Sequence, residues 1–168
     1  MDSKATKLAT IIVPVRDLRL MLPASMVAEV VSGRNIKLAP ASPAAPAWQL
    51  GAFQWRGWPV PLINYDSACG QSPATAAVDM DNARFVVLKK PDESSNQPFI
   101  AFLIEGAPKV VMVSPESLRE TAPVNGEASP FVARYVGYDN EQFVIPSFHA
   151  IERALNAYVA KSKVRAES

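Results

Sequence analysis

Residues 50–65 read LGAFQWRGWPVPLINY. Trp55-Arg56-Gly57-Trp58 lies at the centre, and Pro59 and Pro61 punctuate the aliphatic run that follows. The stretch has the composition of a buried strand pair. Yet it holds a guanidinium with no acid, metal ligand or nucleophile beside it in the chain. Strand geometry would put Trp55 and Gly57 on one face and Arg56 with Trp58 on the other, at a partly exposed seam. Arginine and tryptophan are the types that most often anchor protein–protein contacts. The competing reading makes both tryptophans core and Arg56 a solvated strand residue.

Other runs of strand length are apolar and β-branched: residues 8–15, 18–23, 83–90, 99–106, 109–114 and 142–146. Pro, Gly, Asp and Asn bound them, as expected of strands. FVVL (85–88) and FIAFLI (99–104) are apolar at successive positions, so both faces of these strands should be covered. Two stretches rich in small, polar and proline residues, 71–82 and 91–98, read as exposed loops, and the first is a candidate boundary between two lobes.

Helix is scarce. PASMVAEVV (23–31) opens on a proline suited to a first turn and stops at Ser32-Gly33, which predicts a short helix. A clearer helix follows Pro146, with Ser147 as its cap and Phe148, Ile151, Leu155, Tyr158 and Val159 at helical spacing. Lys161, Lys163 and Arg165 then complement the negative end of its dipole. The aromatic-x-Gly-aromatic pattern of residues 55–58 returns at Tyr135-Val136-Gly137-Tyr138, each time before an aliphatic strand with proline. This echo favours two similar lobes, with glycine marking a bend in each strand.

The 168 residues are 49% apolar and 20% charged, enough to bury a core. Seventeen basic side chains face sixteen acidic ones, so no long-range field draws a polyanion and nucleic acid is not an expected partner. A single cysteine excludes an internal disulfide framework. No apolar stretch approaches about 18 residues, so the chain reads as soluble, cytoplasmic and not inserted in a membrane.

Chemistry is hard to find. His149 is the only histidine, which excludes a multi-histidine metal site, and a Cys69–His149 nucleophile pair has nothing local to support it. Asp79 with Asp81, and Glu116 with Glu120, lack the setting of a calcium loop or a carboxylate dyad. The seven glycines are scattered and form no phosphate-binding loop. No cofactor and no enzymatic activity are expected.

The order of residues is nevertheless familiar. Val27, Glu29 and Val30, then Pro46, Gly51, Arg56 and Gly57, then Val60, Pro61, Leu62, Ile63 and Asn64 follow the pattern of CheW-type coupling domains. The chain resembles that family over residues 8–160, including a return strand YVGYDNEQFVIP (135–146) and a C-terminal helix. Two departures are Gln54 and Trp55, where asparagine and leucine are usual; a second tryptophan follows at 58. The tryptophan-rich AWQLGAFQWRGW (47–58) is similar to ChpC-type CheW-like proteins of type IV pilus, or twitching, chemosensory systems.

The resemblance implies a mainly β fold: two packed five-stranded SH3-like barrel lobes with a C-terminal helix, one domain over 8–160, and flexible termini at 1–7 and 161–168. It implies a non-enzymatic adaptor joining a chemoreceptor's cytoplasmic tip to the regulatory domain of a CheA-type histidine kinase. It places Arg56 and Gly57 at an arginine–glycine turn and Val27 and Glu29 on a groove between the lobes that would take a receptor helix. The binding residues it points to are Val27, Glu29, Trp55, Arg56, Gly57 and Trp58, with Arg56 stacked on Trp58. The rival readings are a small barrel that stacks nucleic-acid bases on Trp55 and Trp58 and a hydrolase built on Cys69.

Overall fold

The computed structural model describes residues 6–70, 78–90, 98–123 and 128–155. The strands are β1 (Leu8–Pro14), β2 (Arg19–Pro23), β3 (Val27–Ser32), β4 (Ala39–Pro40), β5 (Gln49–Trp55), β6 (Trp58–Ile63), β7 (Arg84–Lys89), β8 (Phe99–Ile104), β9 (Lys109–Val113), β10 (Arg119–Glu120), β11 (Val132–Tyr138) and β12 (Glu141–Pro146). Helix α1 spans Tyr65–Ala68, and α2 covers residues 148–155. All six runs read as strands are strands.

They form two sheets, ordered β10-β11-β12-β2-β1-β9 and β3-β7-β8-β6-β5-β4. β4 and β10 hold two residues each, so five longer strands carry each lobe. The two sheets share one plan. An antiparallel hairpin, β1–β2 or β5–β6, lies at its heart. The hairpin's second strand runs parallel to a later strand, β12 or β8, which is antiparallel to its predecessor, β11 or β7.

The likeness of the lobes is therefore real, but the aromatic echo does not carry it. Gly57 lies in the turn between β5 and β6, whereas Gly137 lies inside β11 opposite Gln142. The counterpart of the β5–β6 hairpin is β1–β2. Nor does the 71–82 stretch divide the lobes, since the strands before and after it belong to the same sheet. The chain leaves the first lobe after β2 and returns to it at β9.

The predicted helix over 23–31 is not formed. Only Ala24–Met26 makes a 3-10 turn, and Val27–Ser32 is strand β3, antiparallel to β7. Val27, Val30 and Val31 are β-branched and favour the extended backbone, and the backbone groups along β7 supply the ladder that a lone helix lacks.

Burial confirms the doubly covered strands. Val86 and Leu88 of β7 enter a core shared by both lobes, while Phe85 and Val87 enter the second lobe's own core with Phe53, Trp55, Val60 and Leu62. The shared core takes Ile11, Val13, Leu20 and Leu22 from the first lobe and Ile63, Ile100, Phe102 and Ile104 from the second. The first lobe's private core is small: Met21, Val136 and Phe143. Helix α2 starts as expected, with Ser147 Oγ accepting from the Ala150 N–H at 3.2 Å, and it buries Phe148, Ile151 and Leu155 in the shared core. Tyr158, Val159, Lys161, Lys163 and Arg165 lie outside the described residues, as do both ends of the chain except residues 6 and 7.

Polar contacts clamp the lobes. The buried carboxylate of Asp66, at the start of α1, accepts from the backbone N–H groups of Arg16 and Asp17 at 2.7 and 2.9 Å. Burial lifts its pKa, and the two donors pull it back. The Tyr65 hydroxyl donates to the Phe131 carbonyl at 2.7 Å, and Trp48 meets the Phe131 ring edge-on. With the lobes held this way, the hairpin β5–β6 projects from a fixed base.

Candidate functional site

At the tip of that hairpin Trp55 pairs directly with Trp58, which leaves Arg56 and Gly57 as a two-residue loop. Their φ angles are 48° and 81°, both positive. Two positive angles are the signature of a type I′ turn, whose twist matches that of the flanking strands. Glycine adopts it freely; arginine is strained there. The alternation of faces through 55–58 therefore fails, because the strand ends at Trp55. As cross-strand partners the two tryptophans share a face, and Arg56 belongs to neither strand.

Trp55 is 7% exposed and Trp58 45%. Both rings meet Phe99 at the start of β8, with centroids 4.8 and 6.0 Å away. Arg56 does not stack on Trp58 as expected. Its guanidinium carbon lies over the Trp55 ring, 4.6 Å from the centroid. The acid missing from the local sequence arrives from β3. Glu29 Oε2 accepts the Trp55 indole N–H at 2.6 Å, and Glu29 Oε1 lies 3.8 Å from Arg56 Nη2.

The structure thus brings Glu29, Trp55, Arg56 and Gly57 into one cluster, with Trp58 joined to it through Phe99. Val27 lies two residues before Glu29 on β3, half-buried against the shared core, and the irregularity between Val27 and Glu29 in their pairing with β7 sets the two apart. Phe99 was missed by sequence reasoning: it begins an ordinary strand run, and nothing local marks it as the support for both tryptophans. Asp66 was missed for the same reason, although Asn64, whose side chain caps α1 through the Ser67 N–H, is a readable helix start.

Elsewhere the residues are occupied structurally. Cys69 is half-buried against the shared core, and burial pushes its thiol pKa up, away from a reactive thiolate. His149 is exposed in the first turn of α2. Asp79 accepts from the Asp81 N–H and the Asn82 side chain, which makes it a turn former. Glu120 pairs with Arg134 at 3.8 Å on the surface. Among the described residues no group of three or more His, Cys, Asp or Glu side chains could hold a metal. With Trp55 buried, the tip presents one exposed indole and one guanidinium, too little for a base-stacking platform. A cavity of about 610 Å³ opens where the lobes meet, lined by Leu50 and Leu103 together with Arg16, Asp66, Arg84 and Glu105. It lies toward the opposite end of β5 from the hairpin tip.

Two alike β lobes sharing one core, a C-terminal helix across the seam and an exposed organised hairpin tip define a β-lobed scaffold fold. Comparison with known proteins agrees. The family model described as "CheW-like domain" matches residues 9–154, and the chain belongs to that family. Its members are non-enzymatic scaffolding adaptors of chemotaxis signalling. Among solved structures, the scaffolding protein TtCheW from Thermoanaerobacter tengcongensis is similar, with a TM-score of 0.64 and 17% identity over 84% of this chain and 90% of that one. At that identity the likeness is one of fold. No curated protein matches the chain. Among the described residues no helix is long and apolar enough to cross a membrane.

Proposed function

We propose that this protein couples the cytoplasmic tip of a chemoreceptor to the regulatory domain of a CheA-type histidine kinase, in the cytoplasm and within a receptor array. The observation that carries this reading is the hairpin tip. A strained arginine, an exposed tryptophan and a half-exposed glutamate meet at the end of the hairpin. Such a surface suits recognition. A tryptophan that a partner can cover and an arginine fork are two of the side-chain types that most often anchor interfaces. Val27 and Val30, the latter 40% exposed, lie on the other face of β3, toward the shared core, where they would meet a partner separately from the tip. Domain membership over 8–160 and a role in type IV pilus twitching motility belong to the same proposal. The pilus assignment is supported by the tryptophan-rich residues 47–58.

The test is a binding panel of receptor tips and kinase regulatory domains against wild type, Arg56→Lys, Arg56→Ala and Val27→Asp, with melting temperatures measured in parallel. Binding is expected to fall in all three while the Arg56 variants keep their fold, because that side chain is 66% exposed. Wild-type binding by Arg56→Lys would remove the need for a planar fork. Absence of binding to every receptor and kinase fragment would end the adaptor reading.

A further inference from the structure

Glu29 divides its two oxygens unequally. Oε2 takes the Trp55 indole N–H at 2.6 Å, a short hydrogen bond to a charged acceptor. Oε1 stops 3.8 Å from Arg56 Nη2, beyond hydrogen-bond reach. Arg56 accordingly carries no hydrogen bond from its guanidinium among the described residues. Its contacts are the Trp55 ring beneath it and this long approach to Glu29. A side chain 66% exposed and held over an aromatic face keeps its N–H edge available to solvent or to a partner.

We propose that Trp55 is a positioning residue: its indole N–H holds Glu29 back from Arg56, leaving the guanidinium fork open for a carboxylate of the docking partner. This rests on the reading that the hairpin tip is a docking surface. Two features of one side chain do the work. The ring face of Trp55 supports the guanidinium, and its N–H captures the acid that would otherwise close on it. A phenylalanine or leucine at 55 lacks that N–H. Glu29 would then be free to complete a two-pronged pair with Arg56, and a partner would have to break that pair before binding. Glu29 also matters to the partner's chemistry. Its charge beside Arg56 opposes any second anion, so a partner carboxylate must form both prongs, and an apolar neighbour must cover Trp58, to offset that repulsion.

The experiment compares Trp55→Phe in the native background and in Glu29→Gln, using a receptor-tip fragment with its acidic residues intact and the same fragment with them changed to amides. Trp55→Phe is expected to weaken binding about fivefold in the native background, the worth of one hydrogen bond of organisation. It should change little in Glu29→Gln, where no carboxylate remains to close on Arg56. In the free protein, the Arg56 Nε–H resonance should shift and gain exchange protection in Trp55→Phe and not in the double variant, a readout that needs no partner. Equal weakening in both backgrounds would make Trp55 a packing residue and overturn the proposal. So would an unchanged Arg56 resonance, even with the adaptor reading intact. If Arg56→Ala weakens binding to the amidated fragment as much as to the acidic one, the carboxylate is the wrong ligand. If neither fragment binds while the resonance behaves as expected, the adaptor reading fails and the internal geometry stands.

Discussion

Arg56 sits at φ 48°, where a Cβ crowds the backbone and an L residue loses about 1 kcal/mol. Asparagine before glycine is the favoured pair for this turn, because its short polar side chain tolerates the left-handed region. The cation over the Trp55 ring returns about 0.5 kcal/mol at so exposed a position. Strain should win. Arg56→Asn is expected to raise the unfolding free energy by about 0.5 kcal/mol in urea titration, with the slope unchanged, while binding is lost. Strain kept at a position that a commoner residue would relieve points to a task other than stability. Lower stability in Arg56→Asn would mean that the guanidinium is there for the fold.

At the scale of elements, β5 reaches the tip because its start is forced into one register. Gly51 has φ 148°, and a Cβ built on it would stand 2.3 Å from the Ala39 carbonyl oxygen across the β4–β5 pair. Neither the conformation nor the backbone opposite can yield cheaply. Gly51→Ala is expected to lower stability by about 2 kcal/mol, the usual scale for overpacking a fitted site, seen as a lower denaturation midpoint. A neutral result would show that β4 is free to move away. β3 teaches the complementary lesson. Its local sequence supported a helix, and pairing with β7 overrode that preference. Glu29 reaches Trp55 because residues 27–32 are strand; a helix over the same residues would not have delivered it.

Across the whole molecule, the seam is closed by a buried charge. Lys90, just after β7, has a side chain 2% exposed and pairs at 3.3 Å with Glu152 of α2, 20% exposed. Removing one partner of such a pair takes away part of what compensates a charge that water does not reach. Glu152→Gln is therefore expected to lower the midpoint of chemical denaturation. The double variant Lys90→Met, Glu152→Leu should recover much of that loss, since apolar residues of similar volume can replace a buried pair. If the double variant is the less stable of the two, the ion pair itself holds α2 in place. Because α2 packs on residues of both lobes, its release should loosen the seam before either private core unfolds, which amide exchange on β7 and β2 would report.

Local patterns were enough to determine the mainly β class, the six apolar strand runs, the capped C-terminal helix and the doubly covered FVVL and FIAFLI. Each depends on composition and periodicity within a few residues, which a linear reading contains. The residues from Val27 to Asn64 also placed an arginine–glycine turn between two strands. What needed the tertiary structure were the relations between residues far apart in the chain. Strand β3 instead of a helix was settled by its partner β7. The interleaving of the lobes was settled by β9–β12 returning to β1–β2. The acid beside Arg56 comes from 27 positions earlier, and the ring beneath both tryptophans from the start of β8. Burial made Trp55 a support and left Trp58 in solvent, although in sequence the two frame Arg56-Gly57 alike. The difference lies in which strand-end side chain the second lobe's core could cover, and only packing decides that.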